Sequence, residues 1–336
     1  MAKGEAQRYG LGIDLGGTKI LAGVINLDTG EVLATAKKKT KTKQGVVELL
    51  SRLGDAAEEA LTTANLKVGS VTSVGVAAAG QVDPERGVVI AAPNLGGLAN
   101  IPIGESLSER LGLPIRLGND VQGAALGELH FGAGRGSDRL LCVFVGTGVG
   151  GALIINGVLD SGPNATAGEI GHLIVDADGR YCGCGGRGHL EAYASRTAMT
   201  MRLLEELRRG RPSILRDLLK EEGIDDSAPG GTAIRSGLLA KALAESDGLT
   251  LEVLHEAARY LGYGLASVIN FYNPHRIVLG GGVVEAVPSL VELVSPIAKR
   301  EALAVPGKAV EIIGSKLGDN AGIVGAAILG GMAVAK

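Results

Sequence analysis

Three glycine-rich turns stand out among the residues that could do chemistry. They are Asp14 to Lys19 (DLGGTK), Gly146 to Gly148 (GTG) and Gly280 to Gly282 (GGG). Glycine allows close approach of a ligand and positive φ, so the backbone N–H groups of such turns can converge on an anion. An ordinary tight turn explains any one of them. Three together, two with a threonine hydroxyl, predict a phosphate-binding site.

Two segments, Gly146 to Gly151 and Gly183 to Gly188, match the pattern G-x-G-x-x-G. A dinucleotide fingerprint requires these glycines to lie between a strand and a helix. Residues 152–157 (ALIING) instead have strand character and end in the hairpin dipeptide Asn-Gly. The sequence also contains no G-x-x-x-x-G-K-[ST] motif. Dinucleotide binding of the Rossmann type and a P-loop are therefore both excluded by their motifs.

A third candidate for chemistry is a group of metal-ligating residues. His172, Cys182, Cys184 and His189 follow the spacing H-x9-C-x-C-x4-H. Two nitrogens and two sulfurs form a suitable set for tetrahedral Zn²⁺. The alternative is a glycine-rich loop with incidental thiols or with only three ligands. We favour zinc in a structural rather than a catalytic role.

The elements that must position these residues begin with antiparallel strands from Tyr9 to Lys38. A helix is predicted from Val46 to Ala64, with Val47, Leu50, Leu53, Ala57 and Leu61 on its apolar side. At Leu140 the pattern of strand, glycine turn and strand restarts about 130 residues after the first. This weak internal repeat is expected from two related domains.

The rest of the chain alternates between strands, helices and loops. A buried strand in residues 71–80 precedes a loop that contains Pro84 and Pro93. A long amphipathic helix is predicted from Leu251 to Asn270, and a small-residue helix follows Asp319. Residues 208–247 combine charged residues with Pro and Gly clusters, so we expect surface helices and loops there.

Composition limits the classes of protein. The length of 336 residues suggests two domains, and a hydrophobic share of 46% argues against disorder. Glycine accounts for 54 residues, but these glycines lack a three-residue period, which excludes collagen. A net charge of −3 provides no general attraction to nucleic acid or membrane, and the basic run in residues 37–43 is best explained as a solvated edge strand. Three cysteines and an N-terminus without an apolar signal core fit a reducing cytoplasm.

Several motifs together resemble the ROK family (repressor, open reading frame, kinase). In chain order they are DLGGTK at Asp14, GNDVQGAALGE at Gly118, VGTGVGG at Val145, AGEIGH at Ala167, CGCGGRGHLE at Cys182 and INFYNPHRIVLGGG at Ile269. The resemblance covers nearly the whole chain. It implies an α/β protein with the actin-like ATPase (sugar kinase, ribonuclease H-like) fold, in which two α/β domains enclose a nucleotide and sugar cleft. The small domain would comprise residues 1–118 and the C-terminal helix 320–336. The large domain, with the zinc loop, would comprise residues 119–319.

The resemblance also implies an activity. Within the family, the sequence looks most like the kinases that phosphorylate glucose at its 6-hydroxyl with ATP, and Asp120 would then be the general base. On motif grounds alone, helix capping next to Asn119 is the better explanation of Asp120, and only the resemblance favours the role of base. The residues implied to bind the sugar are Gly80, Asn94, Asn119, Asp120, Glu169, His172 and Glu191.

The same resemblance implies the cofactor sites. ATP and Mg²⁺ would bind at Asp14, Gly16, Gly17, Thr18, Lys19, Thr147, Gly148 and Gly281, with Asp14 near the Mg²⁺. Structural Zn²⁺ would be held by His172, Cys182, Cys184 and His189. In the family the last of these ligands is usually cysteine. His189 departs from that pattern, although imidazole is a normal zinc ligand.

Three questions stay open at this level. The sugar could be glucose or another hexose: N-acetylglucosamine, N-acetylmannosamine, mannose or fructose. The phosphoryl donor could be ATP, ADP or polyphosphate, and the assembly a homodimer or a homotetramer. The family also contains non-catalytic sugar sensors that act as repressors through a DNA-binding module ahead of the first phosphate turn. Here only thirteen residues precede Asp14, so we expect an enzyme.

Overall fold

The computed structural model describes residues 7–224 and 234–332, with α/β architecture. The strands are β1 (Tyr9–Leu15), β2 (Lys19–Asn26), β3 (Val32–Lys39), β4 (Val71–Ala78), β5 (Gln81–Asp83), β6 (Val88–Ala92), β7 (Leu98–Ile101), β8 (Ile115–Asn119), β9 (Arg139–Val145), β10 (Val149–Ile155), β11 (Val158–Asp160), β12 (Arg276–Gly280) and β13 (Glu311–Gly314). The α-helices are α1 (Gly45–Thr63), α2 (Ile103–Leu111), α3 (Asp120–Phe131), α4 (Glu191–Ala194), α5 (Arg196–Arg208), α6 (Leu215–Glu221), α7 (Ser236–Ala244), α8 (Gly248–Tyr272), α9 (Gly282–Ala286), α10 (Ser289–Glu301), α11 (Ala304–Ala309) and α12 (Ala321–Gly331). None of these helices combines the length and the apolar character needed to span a bilayer.

The chain divides into two compact units. Unit 1 comprises residues 1–136, 158–167 and 319–336, and unit 2 comprises residues 137–157 and 168–318. The sequence-based boundary after Gly118 falls at the last residue of β8 and assigns α3 to the large domain, whereas unit 1 keeps β8 and α3 together. The physical reason is that α3 packs against α12 and β4 of the same unit.

Unit 1 is built on a five-stranded sheet with the order β3-β2-β1-β4-β8. β1 and β2 form the antiparallel hairpin predicted from the sequence, and β4 and β8 continue the sheet in parallel. The lysine-rich strand β3 lies at the edge of the sheet, as expected from its composition. The parallel register places Asp14 beside Ala77 and Ala78 beside Asn119, so the turn after β1 and Asp120 after β8 lie at the same end of the sheet, with β4 between them.

The second five-stranded sheet repeats this topology with the order β11-β10-β9-β12-β13. β9 and β10 form an antiparallel hairpin, and β12 and β13 continue in parallel. The hairpins β1-β2 and β9-β10 therefore occupy equivalent positions in their sheets. This confirms the internal repeat expected from the sequence, and Cys142 on β9 is a fully buried core residue as predicted.

Part of the glycine excess is explained by close packing of α12 in unit 1. A Cβ at Gly12 or Gly75 would overlap the backbone carbonyl of Ile323 or Ala326 on α12. A Cβ at Gly325 would likewise overlap the carbonyl oxygen of Gly123 on α3. These glycines are therefore required for steric reasons, because backbone atoms cannot move aside as a flexible side chain can.

We expect Gly325→Ala to destabilise the protein by about 1–3 kcal/mol, because the added methyl must push α12 away from α3. The matched control is Gly237→Ala on α7, where a Cβ meets nothing within 4 Å. That substitution should leave stability unchanged or raise it by up to about 1 kcal/mol, since alanine favours helix more than glycine does. Urea unfolding of the two variants measures both effects. Equal stabilities would contradict the packing explanation.

Three local expectations were wrong. The segment with Pro84 and Pro93 is not only a loop, because β5, β6 and β7 form a small antiparallel sheet. Val47 is 84% exposed, and α1 instead buries Leu49, Leu53, Ala56, Ala57, Ala60 and Leu61. Within residues 208–247, the described helices α6 and α7 bury Leu215, Leu219, Leu238 and Leu239 in the core of unit 2. Residues 225–233 lie outside the described part of that segment.

Candidate active site and metal centre

The first phosphate turn connects β1 to β2 in unit 1. The N–H of Gly16 donates to the carbonyl of Lys19 at 3.0 Å, which closes the turn. Thr40, which directly follows β3, holds the turn through two hydrogen bonds. Its hydroxyl donates to the carbonyl of Gly16 at 2.7 Å, and its N–H donates to the carbonyl of Thr18. Gly17 and Thr18 are exposed at the tip. The turn is therefore rigidly held with an accessible tip, as a phosphate-binding turn requires.

Two acidic residues and a lysine surround this turn. Lys19 forms an ion pair with Asp319 at 2.8 Å. Asp14, which precedes the turn, lies against the start of α12, where a Cβ at Gly322 would be 2.8 Å from its carboxyl carbon. Burial, together with the negative charge of Asp120, raises the pKa of Asp14 to about 7, and the positive charge of Lys19 opposes this rise. A nearby cation would stabilise the ionised form of this carboxyl group.

We expect Asp14→Asn to stabilise the ligand-free protein, and to do so more at pH 8 than at pH 5. Between its ordinary value of 3.8 and about 7, folded Asp14 keeps a proton that the unfolded chain loses. The unfolding free energy of the wild type therefore falls, relative to the variant, as the pH rises through this window. Urea unfolding of both proteins at the two pH values measures the difference. A difference that does not change with pH would contradict it.

Asn119 and Asp120 lie at the junction of β8 and α3. The Asn119 side chain caps α3 by accepting from the N–H groups of Val121 at 2.9 Å and Gln122 at 3.3 Å. Its amide nitrogen donates to the carbonyl of Gly80 at 3.2 Å. The capping role therefore belongs to Asn119. Asp120, which accepts from Val121 at 3.0 Å, stands in the first turn of α3.

Gly80 and Asn94 belong to the same unit. Gly80 has φ of 109°, and a Cβ there would overlap the carbonyl oxygen of Ala91 on β6, so only glycine fits. The structure thus brings Gly80, Asn119 and Asp120 together. Asn94 lies in a short 3-10 turn at residues 93–95, and its side chain is outside the described part of the structure.

The second phosphate turn connects β9 to β10 in unit 2. The N–H of Gly146 donates to the carbonyl of Gly148 at 2.9 Å. The first residues of α5 hold this turn: Arg196 donates to the Thr147 hydroxyl at 2.8 Å, and the Thr197 hydroxyl donates to the Thr147 carbonyl at 2.7 Å. Gly281, with φ of 89°, lies beside the same turn, since a Cβ there would be 2.7 Å from the carbonyl oxygen of Val145. The structure brings Thr147, Gly148 and Gly281 together.

Glu191 joins this turn to the cysteine and histidine loop. One of its carboxylate oxygens accepts from the N–H of Val149 at 3.0 Å, and a Cβ at Gly148 would collide with that oxygen. Its other oxygen lies 3.7 Å from the Cys182 thiol. Glu191 therefore has structural contacts on both sides, in addition to the sugar-binding role that the sequence suggests.

His172, Cys182, Cys184 and His189 converge in unit 2, with ligand atoms all within 4.8 Å of one another. The two Nδ1 atoms are 3.3 Å apart, Cys184 Sγ is 3.2 Å from His189 Nδ1, and Cys182 Sγ is 4.0 Å from His172 Nδ1. A tetrahedral zinc site with bonds of about 2.0–2.3 Å has edges of about 3.3–3.8 Å. The donor set fits Zn²⁺ in chemistry, and these three distances, from 3.2 Å to 4.0 Å, lie close to such edges.

The remaining contacts of this cluster orient its histidines. The Nε2 atom of His172 is 3.9 Å from a carboxylate oxygen of Glu169, so its two ring nitrogens face different partners. The ring of His189 occupies the space that a Cβ at Gly186 would need. Burial raises the pKa of the Cys182 thiol, and the nearby charge of Glu191 adds to the rise. Binding of a metal by Cys182 would therefore release a proton.

Sequence reasoning missed Thr40, Asp319 and Arg196. Each contacts a phosphate turn from a distant part of the chain, and none belongs to a glycine motif. Arg196 follows CGCGGRGHLE by only a few residues, but nothing in its local pattern indicates the hydrogen bond to Thr147, 49 residues earlier. Such partners follow from tertiary structure rather than from spacing.

The repeated sheets, each with a glycine turn between its two antiparallel strands, have the architecture of an actin-like ATPase of the sugar kinase class. The chain belongs to the ROK family, which matches residues 10–331. It is 33% identical over 321 residues to a glucokinase of Streptomyces coelicolor. The alignment covers 95% of this chain and 96% of that protein.

Solved structures agree. A ROK family glucokinase from Streptomyces griseus, in complex with glucose and AMPPNP, matches with a TM-score of 0.81 at 32% identity, covering 96% of this chain and 99% of that chain. A ROK hexokinase from Thermus thermophilus matches with a TM-score of 0.73 at 31% identity, and the match covers 96% of this chain and 97% of that chain. Xylose repressors are also among the matching proteins. The predicted family, the fold and the enzyme class, an ATP-dependent hexose kinase, are confirmed.

Proposed function

We propose that this protein is a glucokinase that transfers the γ-phosphoryl group of ATP to the 6-hydroxyl of glucose. The observation that carries the proposal is the arrangement at β8 and α3, where Asn119 caps the helix and leaves Asp120 in its first turn. The similarity to glucokinases over 95% of the chain supports glucose as the sugar. The glucose and AMPPNP in the Streptomyces griseus structure support both substrates.

Asp120 is the proposed general base. Phosphoryl transfer needs the attacking hydroxyl to be positioned and its proton to be accepted. A carboxylate can accept that proton as the oxygen attacks the γ-phosphorus. The bond from that phosphorus to the bridging oxygen breaks, and ADP leaves with the electron pair. Asn119, the backbone at Gly80, and Asn94 are proposed to bind the sugar in unit 1. In unit 2 the proposed sugar contacts are Glu169, His172 and Glu191.

The nucleotide is proposed to bind at the two phosphate turns, through Gly16, Gly17, Thr18 and Lys19 in unit 1 and Thr147, Gly148 and Gly281 in unit 2. Mg²⁺ would neutralise charge on the phosphates. Asp14 is its proposed partner, directly or through water: burial and Asp120 raise the pKa of its carboxyl group, and a nearby cation would favour the ionised form. The electrostatics of Asp14 thus fit a cation site.

Zn²⁺ is the proposed structural metal of unit 2. His172, Cys182, Cys184 and His189 would hold it, and its role would be to fix the loop that carries them. With Nδ1 of His172 engaged in that cluster, Nε2 and Glu169 are left for hydroxyl groups of the sugar. Metal binding would then orient part of the sugar site.

The test is a coupled assay of ADP release over a panel of sugars. Glucose, mannose, fructose, N-acetylglucosamine and N-acetylmannosamine are compared by kcat/KM, with ATP, ADP and polyphosphate as donors. We expect glucose with ATP to give the highest value. A preference for another sugar would replace glucose in the proposal. Sugar binding without ADP release would favour a non-catalytic sensor, the class represented by the xylose repressors.

Sedimentation of the same samples would test the expected homodimer against a homotetramer.

A further inference from the structure

Arg196 has an unusual position for an arginine. It is the first residue of α5, whose cap is the Ser195 side chain, and its backbone N–H donates to the carbonyl of Gly146 at 2.9 Å. Its guanidinium donates to the Thr147 hydroxyl at 2.8 Å. Main chain and side chain of Arg196 therefore both contact the second phosphate turn.

The positive charge of this guanidinium is not balanced within the described part of the chain. Among the described residues Arg196 forms no ion pair, whereas Arg202 on the same helix pairs with Glu206 at 2.7 Å. Arg196 is half-buried, and this burial lowers the pKa of its guanidinium. A cation in the first turn of a helix is also disfavoured by the helix dipole. The charge therefore lacks the partner that most half-buried arginines have.

We propose that Arg196 is a cationic contact for the phosphates of the nucleotide, held in place by the Thr147 hydroxyl. The inference rests on the proposed function, because it assumes that the second turn binds a nucleotide. A guanidinium has five N–H donors in a planar fork that matches phosphate oxygens, and the bond to Thr147 uses one side of that fork. The phosphates would supply the missing negative charge, so Arg196 would stabilise the nucleotide-bound protein more than the free protein.

Arg196→Gln is expected to raise the KM for MgATP by about 10-fold to 100-fold, the range of a lost hydrogen bond to a charged group. The KM for glucose should change by less than about twofold. The dissociation constant of AMPPNP, measured by calorimetry, should rise by the same factor as the KM for MgATP. Arg196→Lys should recover part of the affinity, because lysine keeps the charge but loses the planar fork.

Two further measurements separate this role from a structural one. The KM for MgATP should rise with salt more steeply in the wild type than in Arg196→Gln, because screening weakens the contact that the variant lacks. Arg208→Gln, at the exposed end of α5, is the matched control and should leave both constants unchanged. The proposal would be overturned if the KM for MgATP depended equally on salt in the wild type and in Arg196→Gln. It would also be overturned if Arg196→Gln raised the KM for glucose as much as the KM for MgATP.

Thr147→Val tests whether Arg196 acts only by holding Thr147. In that case Thr147→Val, Arg196→Gln and the double variant would weaken AMPPNP binding equally, and the proposal would be wrong. A larger effect of Arg196→Gln supports direct contact. The wild type separates this inference from the proposed function: a wild type that binds no nucleotide overturns both, whereas an active wild type with an unaffected Arg196→Gln variant overturns the inference alone.

Discussion

Asp120→Asn is expected to lower kcat for glucose phosphorylation by about 10²–10⁴-fold, the range that general base catalysis contributes. Asparagine has nearly the same shape as aspartate, but its amide cannot accept the proton of the 6-hydroxyl. The dissociation constant of glucose should change by only a few fold, because an amide oxygen still accepts a hydrogen bond from the sugar. Steady-state kinetics and calorimetric titration with glucose measure the two quantities separately.

Helix capping explains why this variant should remain folded. The free N–H groups at the start of α3 are satisfied by the side chain of Asn119 at 2.9 Å and 3.3 Å. The carboxylate of Asp120 also accepts from the N–H of Val121, at 3.0 Å. Loss of its charge removes a repulsion that raises the pKa of Asp14, which further favours folding. A loss of activity in Asp120→Asn would therefore report on chemistry rather than on stability.

The control is Asp55→Asn on α1, where the carboxylate pairs with Arg110 at 2.7 Å on the surface. An exposed pair of this kind contributes about 1 kcal/mol or less, so the control should keep full activity. A turnover of one tenth or more of the wild type in Asp120→Asn would defeat the assignment of the base. Loss of glucose binding together with turnover would make Asp120 a sugar-binding residue instead.

The fold was predictable where local pattern and tertiary environment agree. The hairpins β1-β2 and β9-β10 could be predicted because alternating strands flank glycine turns. The 25-residue helix α8 was predictable because its apolar side persists over many turns. Short elements were not. The strand β5 has three residues, so its alternation carries too little information to distinguish it from a loop.

Val47 shows a different limit. It lies at helical spacing from Leu50, but the buried side of α1 runs through Leu49 and Leu53 instead. Spacing alone does not tell which of two adjacent apolar positions faces the core. Of the adjacent pair Val46 and Val47, Val46 packs against the core of unit 1 and Val47 is exposed. The same limit applies to α6 and α7, whose charged positions suggested surface helices although their leucines are buried.

For the candidate site, the sequence identifies the groups but not all of their contacts. The glycines near Gly16 and Gly148 are recognisable because few other residues form such turns. Glu191 was expected only at the sugar, yet it also receives a hydrogen bond from Val149, 42 residues away in sequence. A side chain whose partner is distant in sequence has a role that only the folded chain reveals.

The cluster of His172, Cys182, Cys184 and His189 is expected to hold zinc that stabilises unit 2. Protein purified without added metal or chelator should contain about one zinc per chain, and Cys184→Ala should contain far less. Loss of the metal leaves two histidines and the Cys182 thiol without the ion that holds them, so the loop should loosen. We expect a lower melting temperature and a kcat/KM for glucose reduced by about 10-fold to 100-fold, the range found when residues that orient a metal site are removed. Elemental analysis, thermal unfolding and kinetics measure these effects.

Three variants make the test specific to the metal. Cys142→Ala removes a buried thiol on β9, outside the cluster, and should keep its zinc. His189→Cys introduces the ligand that is usual in the family and should keep both zinc and activity, whereas His189→Ala should lose the metal. If His189→Ala and the wild type contain the same amount of zinc, His189 is not a ligand. If the wild type itself contains well under one zinc per chain, the cluster is a hydrogen-bonded loop, and Glu191, between Cys182 and Val149, must order it without a metal.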